Sequence, residues 1–569
     1  MVDSTKKKAF LRGRMNMKND EFVDEHSSQK DGNNFDDNRN QKNKHMYPIT
    51  LGVILVFSAI MRFRGLDTES FWLDELTTLH AISQGTWKAT MEGWLSMVGM
   101  GTWLMYFWKL IVGDSDFALR SLSAIAGIIL VYIVAEFTRR FHDEKAAIIA
   151  ASMFSISHLA ILYSQEFRPY MFTTMFIWLS LLLIRSERRL SRNETILCIT
   201  LLSFSYLVHY VAGLVIVLGL LADFFIRVSQ AIYTKHPSET TKLDRIIVYM
   251  KGKSGQCLKI SFAVAMLAVF MLEKMRHDSS NTNHSMWIND TPTRPVVSLF
   301  DYFFAFDTRG GITDVAEAMW YFVLITPFLM LAHRFLVGKK RRLSSESEWF
   351  VWAVGGGTML IIVLYSISFR NLWVSRYFVF SMPAWYILFG VGIARLIDIL
   401  VEINERVDKA SSGTEEKKSM VIAIMFSFLF VLNSAHWYVH EYEYYEQGGR
   451  SDFKGMSQWL DDNVEGDQSD IFIISQPYAK YWNLYLDRMD SDVIIDEHTR
   501  WGHVSSGQAN QIIDDEPFEV IHVRGHKLSM WEYDSLTLAL KPDYEHVTSL
   551  EFIEGHIDVY HRTKNSGLS

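Results

Sequence analysis

Long apolar runs recur through most of this chain and are interrupted only by short charged loops. Leu51–Ile60, Ile196–Leu207, Val211–Ile226 and Met420–Leu432 are four of them. A helix needs about 20 mostly apolar residues to cross the hydrocarbon of a bilayer. Inside lipid every backbone polar group must be satisfied internally, which restricts repeated runs of this kind to helices. The expected fold class is therefore an α-helical polytopic membrane protein. At 49% hydrophobic and 14% aromatic residues, the sequence is too apolar for a disordered chain. The net charge of −8 decides little, because both signs gather outside the runs. Cys198 and Cys257 lie beside predicted spans and suggest neither a disulfide framework nor a metal cluster.

The first span is expected at 47–61. The long loop 62–119 follows, amphipathic without being continuously apolar. It reads as helix lying at the interface, with Trp87, Trp94, Trp103 and Trp108 as anchors. Further spans fall at 120–137, 146–162, 170–184, 194–208, 210–226, 258–272, 316–336, 350–368, 374–397 and 419–436. That makes about eleven transmembrane helices. With the N-terminus in the cytoplasm, the basic loops around Arg139-Arg140, Arg185–Arg192, Arg227–Lys259, Lys339–Arg342 and Arg406–Lys418 share one side. This is the pattern of the positive-inside rule. An odd number of spans then sends the C-terminal region outside the cell membrane.

Three regions result: a hydrophilic, disordered cytoplasmic tail (1–46), a transmembrane domain (47–437) and a small extracytoplasmic α/β domain (438–569). No apolar stretch precedes the first span, so no cleaved signal peptide is expected. In the last region Asp452–Asp462 has a helical pattern, with Phe453, Met456, Trp459 and Leu460 on one face. Ile471–Ile474, Val493–Ile495, Val520–Val523 and Ile557–Tyr560 read as short strands.

On this topology four polar clusters meet one face of the membrane. They are Trp72–Glu75, Tyr163–Tyr170, His209-Tyr210 and Arg370–Tyr377. A charge at mid-bilayer costs at least about 2.5–3.5 kcal/mol, so charges at span ends are expected to line a wet cavity. Asp74, Glu75 and Glu166 could take a proton from an acceptor nucleophile. Arg168, Arg370 and Arg376 could hold a phosphate through charge-assisted hydrogen bonds, with Tyr163, Tyr170 and Tyr377 as further donors. A base beside a phosphate clamp suits group transfer from a lipid-phosphate donor. Blander roles compete for each residue: Glu166 and Arg168 as a structural ion pair, Arg376 snorkelling to the interface, His209 as an interfacial histidine. His80 lies near Asp74, but one histidine beside acids is a weak metal signal. No Asp-X-Asp pair is singled out as a metal site.

The order Ser70-Phe-Trp-Leu-Asp-Glu75, then Gly113-Asp-Ser-Asp-Phe-Ala-Leu-Arg-Ser-Leu-Ser123, then Tyr163-Ser-Gln-Glu-Phe-Arg-Pro-Tyr170 resembles C-type (GT-C) membrane glycosyltransferases. The similarity is to the branch related to dolichyl-phosphate-mannose protein mannosyltransferases and lipid A aminoarabinose transferases. It covers about residues 47–400, with Arg376-Tyr377 and Pro383 in pattern. A weaker likeness extends to Ser451-Asp-Phe-Lys-Gly455. The resemblance implies a polyprenyl-phosphate-linked sugar donor and inverting transfer on the outer face to a protein, lipid or glycan acceptor. It assigns Asp74 as the base, Glu75 as its motif neighbour, Glu166 and Arg168 to the second turn, and Arg376 to the lipid phosphate. Some relatives need a divalent cation. Met100–Phe107 departs from the Pro-Pro-Leu-Tyr-Tyr-like segment of many members, which bears on the acceptor. The competing expectations are a transporter or flippase of lipid-linked intermediates, and a receptor-like protein working through its external domain.

Overall fold

The computed structural model describes residues 45–83, 99–186, 188–233, 256, 259–260, 325–329, 342–368, 372–407, 415–436, 451–464, 470–476, 479–495, 517–525, 540 and 543–563. The chain divides into two units, Met1–Ile49 and Thr50–Ser569. Of the first, only residues 45–49 are described, and Ile49 donates its N–H to the His45 carbonyl there. Apart from Met46–Ile49 at the start of the first helix, everything below concerns the second unit.

The sequence sets most helix ends by local chemistry. α1 (Met46–Phe63) is an apolar run closed by Arg62. The first loop supplies α2 (Leu73–Ser83) and α3 (Gly99–Val112). Trp87 and Trp94 lie outside the described residues, whereas Trp108 of α3 donates its indole N–H to the Ala118 carbonyl at 2.9 Å. Phe107, Leu110 and Ile111 of α3 are exposed, as an interfacial helix requires. α4 (Asp116–Phe141) is capped by Ser115, which accepts the Ala118 N–H, and it ends on Arg139 and Arg140. Both features suit the helix dipole. α5 (Glu144–Ser155) is capped by Asp143 and α6 (His158–Ser164) by Ser157. α7 (Tyr170–Arg185) follows Pro169, and α8 (Arg192–Val208) begins with a Ser191–Glu194 capping box. α9 (Tyr210–Tyr233), α10 (Arg342–Ser368), α11 (Ser375–Phe378), α12 (Met382–Val407) and α13 (Glu415–His436) complete the bundle among the described residues.

Five described helices are long and apolar enough to cross a membrane: Met46–Phe63, Asp116–Phe141, Tyr210–Gln230, Glu346–Ser368 and Lys417–His436. The expected span 146–162 is α5 and α6 bent by 58°, and it makes a sixth if taken as one. α7, at 16 residues, is shorter than a full crossing usually needs, and α8, at 17, sits at the lower limit. The expected span 258–272 lies almost wholly outside the described residues, as does most of 316–336. The protein is a multi-pass helical membrane protein.

Helix ends alternate between two poles of the bundle. At one pole ion pairs join α7 to α9, α5 to α12, and α10 to α12. Arg185 and Arg227 both hold the buried Asp223, Lys145 pairs with Asp398, and Arg395 with Glu348. The other pole joins residues 62–75, 116–120, 164–170, 208–210 and 374–382. There the buried Arg62 donates to Ser58 Oγ at 2.7 Å and to the Ser155 carbonyl at 2.8 Å. Gln165 donates to the Arg64 carbonyl at 2.7 Å, tying the end of α1 to the turn after α6. Gly127 lets α4 approach this knot. A Cβ there would sit 2.2 Å from Ser164 Oγ and 2.8 Å from Arg62 Nε.

The C-terminal residues form α14 (Phe453–Asn463), α15 (Ala479–Arg488) and a four-stranded sheet. Its order is β1-β2-β4-β3, with β1 (Ile471–Gln476), β2 (Glu519–Gly525), β3 (Tyr544–Phe552) and β4 (Gly555–Arg562). β1 pairs parallel to β2, and β4 pairs antiparallel to β2 and β3. One strand expectation needs correction, and one strand was not foreseen. Val493–Ile495 forms no strand, because the Asn483 side chain takes the place of a partner. It accepts the Ile495 N–H at 3.0 Å and donates to the Ile495 carbonyl at 2.8 Å. β3 was not expected, since this edge strand leaves most of its polar residues exposed and carries little apolar signal.

Candidate active site

Trp72 precedes α2, so Asp74 and Glu75 fall in the first helical turn and project to different sides. Asp74 keeps 26% of its side chain exposed. Its Oδ2 receives Arg376 Nη1 at 2.6 Å, and Arg168 Nη2 lies 3.7 Å away. Arg168 also donates to the Asp74 carbonyl and to Thr78 Oγ1, each at 2.8 Å. Burial opposes the charge on Arg168, yet neighbouring Tyr170 and Asp74 raise its pKa above the ordinary arginine value. One carboxylate thus faces two guanidiniums brought from the α6–α7 turn and from α11.

Glu75 has a different environment from the acid expected beside the reacting group. It is fully buried. Its carboxylate receives Arg120 Nε at 2.9 Å and Nη2 at 2.8 Å, the Phe167 N–H at 2.6 Å and the Trp72 N–H at 3.2 Å. Arg120 also donates to the carbonyls of Leu66, Glu69 and Ser70 at 2.8 to 2.9 Å. All five N–H donors of that guanidinium are engaged. Glu75 therefore joins the first loop, α4 and the α6–α7 turn, and its oxygens do not reach the open side of Asp74.

Glu166 is buried in the turn before Arg168, and its carbonyl accepts the Arg168 N–H at 2.8 Å. The ion-pair partner of Arg168 is Asp74, where the sequence left Glu166 open as an alternative. The expected aromatic donors do gather. The Tyr163 and Tyr170 rings meet edge to face at 5.2 Å. The His209 ring stacks on Tyr210 at 4.7 Å and lies 5.3 Å from Tyr377 and 6.1 Å from Tyr170. His209 Nδ1 accepts the Val211 N–H, so the ring acts locally as a cap for α9. His80 lies six residues beyond Asp74 on α2, about 120° round the helix from it. Arg370 lies outside the described residues.

Three groups escaped sequence reasoning as site-forming residues: Arg120, Thr78 and Asp116. Arg120 and Asp116 stood inside the Gly113–Ser123 motif, which was the available signal. Asp114-Ser-Asp116 is also an Asp-X-Asp sequence, but Asp114 pairs with Lys109 at 2.7 Å and Asp116 with Arg488 at 2.5 Å. Among the described residues no three His, Cys, Asp or Glu side chains gather as a metal site would require.

Residues 99–241 match the family described as dolichyl-phosphate-mannose-protein mannosyltransferase. That match covers about a quarter of the chain, and over those residues the chain is similar to this mannosyltransferase family. Among solved structures it is similar to ArnT from Cupriavidus metallidurans in the apo state. That match has 11% identity over 89% of this chain and 98% of that one, with a TM-score of 0.47. The same protein bound to undecaprenyl phosphate matches at 12% identity, covering 89% and 97%, with a TM-score of 0.46. The Archaeoglobus fulgidus oligosaccharyltransferase tethered to an acceptor peptide matches at 12% identity, covering 92% and 74%, with a TM-score of 0.45. No curated protein matches by sequence.

Proposed function

We propose that this chain transfers a sugar from a polyprenyl-phosphate donor to a hydroxyl or other nucleophile of a protein, lipid or glycan. Transfer occurs on the extracytoplasmic face of the cell membrane with inversion at the anomeric carbon. The observation that carries this reading is the single carboxylate of Asp74 set against Arg376 at 2.6 Å and Arg168 at 3.7 Å. Without donor, the carboxylate balances the two guanidiniums. An arriving lipid phosphate offers Arg376 and Arg168 a stronger bidentate partner. The carboxylate is then released to accept the proton of the acceptor nucleophile. That nucleophile attacks the anomeric carbon as its bond to the phosphate oxygen breaks, and polyprenyl phosphate leaves as the anion. Tyr163, Tyr170 and Tyr377 supply further donors around the phosphate, and His209 packs their rings. Glu75 acts through position, holding the loop that presents Asp74.

The topology belongs to the same proposal: about eleven spans, a cytoplasmic N-terminus and an outer C-terminal region. The basic pole at Arg139, Arg140 and Arg185 would then face the cytoplasm. A flippase is expected to carry a second broken helix in a symmetric repeat, and the described residues have one bent pair, α5–α6.

The test is sugar transfer in membranes from a panel of polyprenyl-phosphate sugars. Asp74→Asn should lower the transfer rate by roughly 100-fold or more while donor binding persists. Full activity in that variant removes Asp74 as the base. Arg376→Ala should raise the donor KM by roughly tenfold or more, the equivalent of one charge-assisted hydrogen bond. An unchanged donor KM would count against the phosphate clamp.

A further inference from the structure

We propose that the C-terminal sheet, through α14 and α15, is a positioning brace for Asp74 rather than a tethered binding module. This rests on the reading of Asp74 as the base. Loop 66–72 has no helix or strand of its own, so its backbone geometry depends on what holds it. Arg120 holds three of its carbonyls from the α4 side. The opposite side belongs to the C-terminal residues. The Phe71 N–H donates to the Tyr485 hydroxyl at 2.5 Å. Ser70 Oγ donates to Asp452 Oδ1 at 2.8 Å and accepts the Lys454 N–H at 2.9 Å. Thr77, one turn beyond Asp74, meets the Tyr481 hydroxyl at 3.0 Å. Arg488 reaches Asp116 at the start of α4 at 2.5 Å and lies 5.1 Å from the Phe71 ring, which Arg120 also approaches at 4.7 Å.

The brace is continuous with the sheet. Phe453 packs on Trp482 at 4.7 Å. A Cβ on Gly525, at the end of β2, would meet the Phe453 ring at 3.0 Å. The Ser451–Gly455 motif thereby gains a physical account. Asp452 Oδ1 caps α14 through the Gly455 N–H at 2.8 Å and takes the Ser70 hydroxyl on the same oxygen. Asp74 is three residues beyond Phe71, so displacing Phe71 displaces the carboxylate. Misplacing a reacting group by about 1 Å can cost about 100-fold in rate.

The experiment uses the full-length protein in membranes, with the same donor panel, and compares Tyr485→Phe, Tyr481→Phe, Asp452→Ala and Asp452→Asn. Tyr485→Phe and Asp452→Ala should lower kcat by roughly 10- to 100-fold and leave the donor KM within about twofold. Asp452→Asn retains an oxygen for both Ser70 and Gly455 and should stay near wild type. Hydrogen exchange of peptides covering 70–77 should quicken in Tyr485→Phe and Asp452→Ala, while peptides at 139–145 stay unchanged. If Asp452→Ala fails to fold, the single-hydroxyl deletions Tyr485→Phe and Tyr481→Phe carry the same reading. Wild-type kcat and exchange in both hydroxyl deletions would overturn the brace, as would a raised donor KM with intact kcat. If Asp74→Asn is active while exchange still quickens in Tyr485→Phe, the base assignment has failed and the brace stands. If Asp74→Asn is inactive and exchange does not change, the brace alone has failed.

Discussion

Asp74 and Glu75 are chemically near-identical neighbours, and the fold separates their work through one residue, Arg120. Glu75 stands at the third position of α2 and reaches back to the Trp72 N–H, as the acidic member of a capping box does. Trp72 cannot supply the reciprocal hydroxyl, and Arg120 and the Phe167 N–H supply the remaining contacts. Removing one partner of a buried ion pair leaves an uncompensated charge. Arg120→Ala should therefore destabilise the protein by about 3–5 kcal/mol. Arg120→Lys should recover little of that, since three donors on a flexible stem cannot replace a five-donor fork. The paired change Glu75→Leu with Arg120→Met should return much of the stability yet leave transfer impaired, because the carbonyls of Leu66, Glu69 and Ser70 lose their donor. Denaturant unfolding of the purified variants, alongside the transfer assay, checks all three. If Arg120→Ala unfolds at the wild-type denaturant concentration, the pair contributes no net stability.

α4 links both poles of the bundle. At one end Ser115, Asp116 and Arg120 serve the loop that carries Asp74. At the other, Glu136 binds Arg139 and Arg140 on the same helix. Between them, Gly127 allows contact with α1 and α6. A side chain there meets Ser164 and the buried Arg62, neither of which has room to retreat. Gly127→Ala should destabilise the bundle, and Gly127→Val more, by about 1–3 kcal/mol in the range expected for overpacking. Thermal unfolding of the two variants in one detergent should rank them below wild type in that order, and a Gly127→Val protein as stable as wild type would contradict the close approach. Elements of this kind were legible in sequence only in part. The apolar period located α1, α4, α9 and α13, and the charged loops marked their ends. Val493–Ile495 misled because a β-branched run bonds to one asparagine side chain instead of a strand. β3 escaped because an edge strand with one wet face has no apolar alternation to read.

At the scale of the molecule, the pairs that define the site span distances along the chain that no local pattern encodes. Arg376 meets Asp74 across 302 positions, and Asp452 meets Ser70 across 382. Motif order suggested which residues matter, whereas three-dimensional closure decided that Glu75 binds Arg120 and that the C-terminal sheet touches the Asp74 loop. The sheet also brings a pH dependence. His522 lies on central strand β2, buried, opposite Asp558 of β4 and beside Arg524, which itself pairs with Asp558. Burial first, and the Arg524 charge second, push the His522 imidazole down to about 3, against a partial opposing pull from Asp558. The unfolded chain, with histidine near its ordinary value of about 6.5, takes up this proton before the folded one does. Stability from neutral His522 is therefore complete above about pH 6.5 and falls by about 1.4 kcal/mol per pH unit as the medium is acidified towards about pH 3. Because the sheet anchors α14 and α15, acid should loosen the brace before it disturbs the membrane helices. Pulse proteolysis of the full-length protein between about pH 7 and about pH 4.5 should show cleavage advancing within 451–563 ahead of 116–233, and His522→Gln should flatten that dependence. Equal pH dependence in wild type and variant would assign the acid sensitivity to other groups.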